Sequence, residues 1–222
     1  MKEVNSYGWK AVIGSSIGYA MDGFDLLILG FMLSLISGDL GLTTGQAGSL
    51  VTWTLVGAVI GGFIFGTLSD KFGRVRVLTW TIVLFAVFTG LCAFAQGYWD
   101  LLIYRTIAGI GLGGEFGIGM ALAAEAWPAQ HRAKATSYVA IGWQLGVLAA
   151  ALLTPVLLPY IGWRGMFMVG IIPAFVAWIF RAKLHEPEIF VQSKETKENS
   201  HTNSFKLLVK DVRTTKTSIG VA

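Results

Sequence analysis

The chain has 222 residues, of which 54% are hydrophobic and only 14% are charged. An average soluble domain carries about a quarter charged residues, so this chain has too few to cover a water-soluble globule of its length. The high hydrophobic content also excludes a disordered protein. A disulfide-stapled secreted domain is excluded because the single cysteine, Cys92, cannot form an internal bridge. The formal net charge of +4 would suit a nucleic-acid binder, but the positions of the charges decide that question.

Six apolar stretches are long enough to cross a membrane, for which a helix needs about 20 predominantly apolar residues. They lie near residues 11–36, 46–68, 76–96, 99–125, 135–159 and 163–184. The first stretch is too long for the apolar region of a cleaved signal peptide, so we expect it to remain as the first helix. The expected fold is therefore an all-α membrane protein, with a six-transmembrane-helix bundle over residues 1–184.

Lys and Arg residues mark one side of the predicted bundle. Fifteen of the 17 fall at the N-terminus, in the loops after the second and fourth stretches, and around or after the end of the sixth. Arg164 lies on the opposite side, and Arg105 lies within the fourth stretch. The positive-inside rule then predicts a multi-pass protein of the cell membrane with both termini in the cytoplasm. The positive charge is thus a topology signal, and no nucleic-acid partner is expected.

The composition changes sharply after Leu184. Residues 185–216 are polar and rich in Lys and Glu, which predicts a cytoplasmic loop. Residues 217–222 turn apolar just as the chain stops, which indicates the truncated start of a seventh helix. The chain is therefore expected to be half of a longer protein.

Four charged residues stand inside the apolar stretches: Asp22 and Asp25 in the first, and Arg105 and Glu115 in the fourth. Each would cost about 2.5–3.5 kcal/mol at the centre of a lipid-facing helix, so we expect all four to face the bundle interior or a cavity. Asp22 and Asp25 are three residues apart and share one helix face, and Asp25 is able to approach Arg105. Intramembrane charges usually mark substrate or proton pathways; the alternative is an ion pair that only fixes helix packing.

Glu115 has two open interpretations. It either binds and releases a proton during function, or it stays protonated and donates one hydrogen bond in the helix packing. No catalytic or metal site is expected elsewhere, because the three histidines lie in loops without metal-ligand spacing and no nucleophile motif appears. The sequence therefore does not predict an enzyme.

Pairs of glycines four residues apart predict close helix packing, since they let helix backbones approach each other. The pairs are Gly14/Gly18, Gly57/Gly61, Gly62/Gly66, Gly113/Gly117 and Gly142/Gly146.

The segment from Gly66 to Arg76, GTLSDKFGRVR, lies between the second and third predicted helices. Its glycine, Asp-Lys pair, Gly-Arg pair and further basic residue resemble the signature loop of the major facilitator superfamily. The resemblance implies a gate at the cytoplasmic mouth, with Glu125 close to Arg74. The implied gate residues are Gly66, Asp70, Lys71, Gly73, Arg74, Glu125 and Arg132.

Arg105-x3-Gly109 in the fourth stretch is a second segment that resembles the superfamily. Three segments together are similar to its sialate:proton and aromatic acid:proton symporter families: Asp22-Gly-Phe-Asp25, Ala124-Glu-Ala-Trp-Pro128 and Gly162-Trp-Arg164. The resemblance implies a substrate site at Arg105, Asp22 and Asp25, and proton coupling at Asp22, Asp25 and Glu115. It implies a proton gradient as the energy source and no other cofactor.

The resemblance also implies twelve helices in two halves, with the substrate cavity between them. This chain would be the N-terminal six-helix half, with a small organic anion, protons, the lipid bilayer and the missing C-terminal half or a second copy as partners. The predicted function is proton-coupled uptake of a carboxylate such as sialate, lactate or an aromatic acid. The alternatives are a non-transporting binding or regulatory half-protein, and a sugar or cation facilitator of the same fold.

Overall fold

The computed structural model describes residues 6–182. Every regular element in this part of the chain is helical and no strand occurs in it, which confirms the all-α prediction. The helices are α1 (Ser6–Leu40), α2 (Thr44–Phe72), α3 (Arg74–Cys92), α4 (Tyr98–Glu125) and α5 (Arg132–Ala182), with a short 3-10 turn at Ala129–His131. The predicted loop at 185–216, the predicted helix start at 217–222 and the boundary at residue 184 lie outside the described residues.

The 51-residue helix α5 breaks at Gly162. Gly162 has φ 63° and ψ −179°, a backbone conformation that is essentially restricted to glycine. Before the break, Gly142 and Gly146 lie against the backbones of Ser16 and Ala20 in that order. The first arm, 132–161, therefore runs in the same direction as α1.

The second arm of α5, 163–182, meets α1 in the reverse order. Trp163 bonds to Asp39 near the end of α1, and Gly170 lies beside Ile28, closer to its middle. The chain therefore turns back at Gly162, and each arm is long enough to cross a bilayer. The five long helices thus contain six segments long enough to cross a bilayer, and the six-pass topology stays a prediction.

Most helix ends differ from the predicted spans by a few residues, and at two of them local hydrogen bonds set the end. Helix α2 begins at Thr44 rather than 46, since Thr43 Oγ1 accepts from the Gln46 N–H at 3.3 Å and Gln46 Oε1 accepts from the Thr43 N–H at 3.0 Å. Helix α3 ends at Cys92 rather than 96, because the next N–H groups bond to carbonyls three residues back and tighten the chain.

Helices α2 and α4 cross with backbone against backbone. A Cβ on Gly61 would overlap the carbonyl oxygen of Ile110, and one on Gly113 would overlap the carbonyl oxygen of Ala58. The glycines at this crossing are Gly57, Gly61, Gly109 and Gly113. Close packing is therefore confirmed for Gly57/Gly61 and, on α5, for Gly142/Gly146. It is wrong for Gly66 and Gly117, where a Cβ would meet nothing within 4 Å because these residues lie one turn beyond the crossing.

The outward surface of the bundle is apolar, as expected for a lipid-facing surface. Val59 is 77% exposed, Phe63 67% and Tyr160 86%, and many other large apolar side chains share this surface. A soluble monomer rarely exposes apolar patches of such extent. Together with the five long apolar helices, this surface identifies a multi-pass membrane protein.

The two ends of the bundle differ in charge. The basic end carries the start of α1, the α2–α3 turn and the α4–α5 connection, with Lys10, Lys71, Arg74, Arg132 and Lys134. The far end carries the end of α1, the α3–α4 connection and the break at Gly162.

Candidate functional site

An enclosed ion pair joins α1 and α4 inside the bundle. Arg105 Nη1 and Nη2 donate to Asp25 Oδ1 and Oδ2 at 3.0 and 2.7 Å. The side chains are 0% and 1% exposed. Two parallel bonds of this kind are the strongest arrangement that a guanidinium and a carboxylate form. The contact between Asp25 and Arg105 that the sequence allowed is thus observed. In this arrangement neither group reaches the bundle surface.

Three further helices complete the surroundings of Arg105. Its Nε donates at 3.4 Å to Thr54 Oγ1 on α2, and that hydroxyl donates to the Leu50 carbonyl at 2.7 Å. The ring of Phe167, on the second arm of α5, has its centroid 5.8 Å from Arg105 Cζ. Cys92, at the end of α3, is buried in the same apolar cluster as Phe167. All five helices therefore contribute a side chain to the environment of one buried cation.

Asp22 is fully buried one turn before Asp25, but it lines a different feature. This feature is a cavity of about 410 Å³ whose walls come from α1, α2, α4 and the first arm of α5. One wall is aromatic, with the Tyr19 ring centroid 5.1 Å from that of Phe116 and 5.2 Å from that of Trp143. Phe116 is half-exposed, so the cavity lies at the bundle surface. Its volume falls in the range of small-molecule sites.

Glu115 is buried on another face of α4. Thr81 Oγ1, on α3, lies 3.3 Å from Glu115 Oε2 and 2.8 Å from the Leu78 carbonyl, and its one hydrogen is shared between these two acceptors. The cavity that Asp22 lines is instead contacted by the neighbouring positions Leu112, Gly113 and Phe116. Glu115 therefore does not line the cavity with Asp22, and a bond from Thr81 suits both interpretations of this carboxyl group.

A second charged cluster lies at the basic end. Arg74, the first residue of α3, donates from Nη2 and Nε to Glu125 Oε1 and Oε2 at 3.0 and 3.4 Å. Its Nη1 is 2.7 Å from Asp70 Oδ1 and donates to Ser69 Oγ at 2.6 Å. One guanidinium thus ties together the ends of α2 and α4 and the start of α3. The expected proximity of Glu125 and Arg74 is confirmed; the gating role stays a prediction.

The other predicted gate residues take different positions. Gly73 has φ 110°, which favours glycine, and forms the turn between α2 and α3. Lys71 is exposed with its Nζ 5.4 Å from the Phe72 ring centroid, and Arg132 is the exposed first residue of α5. Gly66 lies within α2. Asp70, Arg74 and Glu125 are therefore the predicted gate residues that form the cluster, and the cations Lys71 and Arg132 lie outside it.

Replacing Arg74 with Ala is expected to lower the free energy of unfolding by about 1–2 kcal/mol, because three helix ends lose their charge-assisted hydrogen bonds. Thermal unfolding of the chain in detergent micelles measures the change. Lys71→Ala is the matched control: it also removes one cation from this turn, but an exposed one, and should change stability by less than about 1 kcal/mol. Equal effects of the two substitutions would contradict a structural role for the cluster.

A third charged cluster, at the far end, was not identified from the sequence. Arg164 pairs with Asp39 at the end of α1 and donates from Nη2 to the Ala95 carbonyl at 3.2 Å. Trp163 Nε1 donates to Asp39 Oδ2 at 3.1 Å, and the Arg164 guanidinium lies 4.0 Å from the Trp163 ring centroid. The sequence feature that could have indicated this cluster is that Asp39 and Arg164 have opposite charges and are both predicted near the non-cytoplasmic ends of their helices.

Between residues 6 and 182, no group of three His, Cys, Asp or Glu side chains lies close enough together to bind a metal ion. The ion pairs described above form three separate arrangements: the enclosed pair, the basic-end cluster and the far-end cluster. Asp22 lines the cavity, and Glu115 is buried on another face of α4.

Comparison with known families matches residues 15–221 to the Major Facilitator Superfamily. The chain therefore belongs to this superfamily. It is 75% identical to a putative metabolite transport protein of Haemophilus influenzae, an alignment that covers 99% of this chain and 55% of that protein. It is 40% identical to a probable 4-methylmuconolactone transporter of Cupriavidus pinatubonensis, covering 81% of this chain and 43% of that one.

A third relative is the sialic acid transporter NanX of Escherichia coli, 31% identical over 92% of this chain and 51% of that one. These relatives confirm the family predicted from the sequence, and they are named as transporters rather than enzymes. The chain spans about half the length of the curated relatives that it matches.

Solved structures agree with the fold. The partially occluded inward-open structure of the xylose transporter XylE from Escherichia coli superposes with a TM-score of 0.78 at 23% identity. The match covers 87% of this chain and 52% of XylE. The described bundle therefore has the fold of one half of a major facilitator protein.

Proposed function

We propose that this chain is the N-terminal half of a proton-coupled uptake transporter for an organic anion, set in the cell membrane with both termini in the cytoplasm. The observation that carries the proposal is the enclosed Asp25–Arg105 pair, which places a proton acceptor against an anion-binding group inside a membrane bundle. Relatives named for transport of a muconolactone and of sialic acid support an organic acid as the substrate class.

The pair couples the proton to the anion through charge balance. A proton on Asp25 neutralises the carboxylate and leaves Arg105 as an uncompensated cation, which costs about 3–5 kcal/mol in a buried site. A substrate carboxylate that replaces Asp25 on the guanidinium offsets this cost. Without a proton, Asp25 occupies both Nη atoms and excludes the anion. Proton and anion therefore bind favourably together and unfavourably alone.

The cavity next to the pair gives the anion its approach. Asp22 lines the cavity and lies three residues, about 4.5 Å along the helix axis, from Asp25. An anion that moves from the aromatic wall toward Arg105 passes this carboxyl group, which repels it when ionised and donates a hydrogen bond when protonated. Asp22 is thus the second proton-binding residue, and Glu115, on the α3 side, is assigned a supporting role in proton binding.

The basic-end cluster serves as the cytoplasmic gate. The second six-helix half, or a second copy of this chain, closes the exposed side of the cavity at Phe116. The two halves then rock about the enclosed site, and the Asp70–Arg74–Glu125 bonds form and break at the cytoplasmic mouth.

Uptake by membrane vesicles tests the proposal. The chain is expressed together with the C-terminal half of the Haemophilus influenzae relative, and labelled sialate, lactate, cis,cis-muconate and 4-hydroxybenzoate are offered with the outside acidic. At least one acid is expected to accumulate only when the pH gradient is present. Arg105→Ala should reduce accumulation at least tenfold, and Asp22→Asn and Asp25→Asn should each abolish the accumulation that the pH gradient drives.

Asp100→Asn is the matched control, because it makes the same chemical change at a carboxylate in the first turn of α4, where Asp100 Oδ2 accepts from the Gln96 N–H at 3.1 Å. Uptake that only equilibrates the acid across the membrane, with no response to the pH gradient, would instead indicate a facilitator of the same fold. Binding of an acid without uptake would indicate a non-transporting half-protein.

A further inference from the structure

Phe167 is fully buried and lies on the second arm of α5, in the apolar cluster that surrounds the enclosed pair. Its ring centroid is 5.8 Å from Arg105 Cζ, within the range in which an aromatic ring attracts a cation. Any apolar side chain at position 167 would fill the space in this cluster. What distinguishes Phe167 from its apolar neighbours is that its aromatic ring lies close to the guanidinium.

The polar contacts of Arg105 occupy the edge of its guanidinium. Asp25 holds the two Nη atoms and Thr54 accepts from Nε, so these two residues occupy the edge. The Phe167 ring supplies the aromatic contact of the group. Because the Thr54 hydroxyl already donates to Leu50, it accepts from Arg105 through a lone pair and this bond does not depend on the state of Asp25.

Phe167 is in turn held from the far end of the bundle. Its ring meets the Trp163 ring at a centroid distance of 6.0 Å and an interplanar angle of 89°. Arg164 lies over Trp163 at 4.0 Å and pairs with Asp39. A row of cation, ring, ring and cation therefore runs from the exposed Arg164 to the enclosed Arg105.

We propose that Phe167 is a positioning residue for Arg105, backed by Trp163, that keeps the guanidinium in place when Asp25 is neutral. The consequence for anion binding rests on the proposed function, but the contact itself does not. An ion pair fixes Arg105 only while Asp25 is charged, whereas the attraction of a ring for a cation persists. The anion then meets a guanidinium already in position, which lowers the ordering cost of binding.

The contact is tested on the 222-residue chain in detergent micelles by side-chain ¹⁵N NMR of arginine, with the Arg105 Nε–H signal identified by its loss in Arg105→Lys. Phe167→Leu is expected to move this signal, because the ring current of the phenyl group is removed. Phe167→Tyr, which keeps the ring, should leave the signal near its original position. Phe85→Leu is the control for a lost buried ring, since Phe85 is also fully buried but packs in a different cluster.

An unchanged Arg105 signal in Phe167→Leu would overturn the proposal. Equal shifts in Phe167→Leu and Phe85→Leu would overturn it as well, because they would show general loosening of the core rather than loss of one contact. This measurement involves no substrate, so its outcome is independent of whether the chain takes part in transport.

The functional consequence is measured as a KM-against-kcat split in the vesicle assay. Phe167→Leu is expected to raise KM for the transported acid about tenfold with kcat within twofold, and Phe167→Tyr should restore most of the affinity. If Phe167→Leu moves the NMR signal but leaves KM unchanged, the positioning role in anion binding is wrong. If Arg105→Lys also leaves KM unchanged, the failure lies in the proposed function of Arg105 rather than in the contact.

Discussion

Replacing Asp25 with Asn is expected to lower the free energy of unfolding of the bundle by about 3–5 kcal/mol, because Arg105 is left as an unpaired cation in an enclosed interior. Asn keeps the size of the side chain and one acceptor oxygen, so the loss comes from charge rather than from a cavity. Denaturation in mixed micelles, followed by helical circular dichroism of the 222-residue chain, gives the difference.

Two companion variants separate this effect from ordinary ion-pair loss. Asp39→Asn removes the same charge from a pair whose side chains are 47% and 44% exposed, and should change the stability far less than Asp25→Asn does, because solvent screens an exposed pair. The double variant Asp25→Leu/Arg105→Met removes both buried charges and should recover most of the stability that Asp25→Asn loses. If Asp25→Asn costs no more than Asp39→Asn, the pair is not enclosed as described.

Replacing Gly113 with Ala is expected to cost about 3 kcal/mol, because the added methyl group would overlap the Ala58 carbonyl oxygen and push α2 and α4 apart. The same denaturation measurement applies. Gly117→Ala, one turn further along α4, is the matched control: its Cβ meets no neighbour within 4 Å, and stability should stay within about 1 kcal/mol. Similar losses for both variants would contradict the backbone-to-backbone crossing.

The sequence predicted which charges are buried, but not how they divide among sites. Asp22 and Asp25 share a helix face, yet Asp25 pairs with Arg105 while Asp22 lines the cavity. The difference depends on the rotation of α1 about its own axis, which the packing of Gly142 and Gly146 of α5 against its backbone fixes. Hydrophobic periodicity is too coarse to give that rotation.

The far-end cluster was beyond prediction for a related reason. Asp39 and Arg164 are 125 residues apart, and each looks like an ordinary residue of a loop. They meet because Gly162 reverses the chain at the level where α1 ends. The basic-end contact of Arg74 with Glu125 was predictable because the family resemblance joined two segments that spacing alone would not connect.

Helix α3 is anchored at both ends: Arg74, its first residue, belongs to the basic-end cluster, and Ala95, three residues beyond its last, accepts a bond from Arg164. Its 19 residues span about 28 Å at 1.5 Å per residue. A hydrogen-bonded helix resists stretching, so the distance between the two anchors is nearly constant. A displacement at one membrane face is therefore transmitted to the other face as a rigid-body tilt of α3. The enclosed Asp25–Arg105 pair lies between the two anchored ends of this helix.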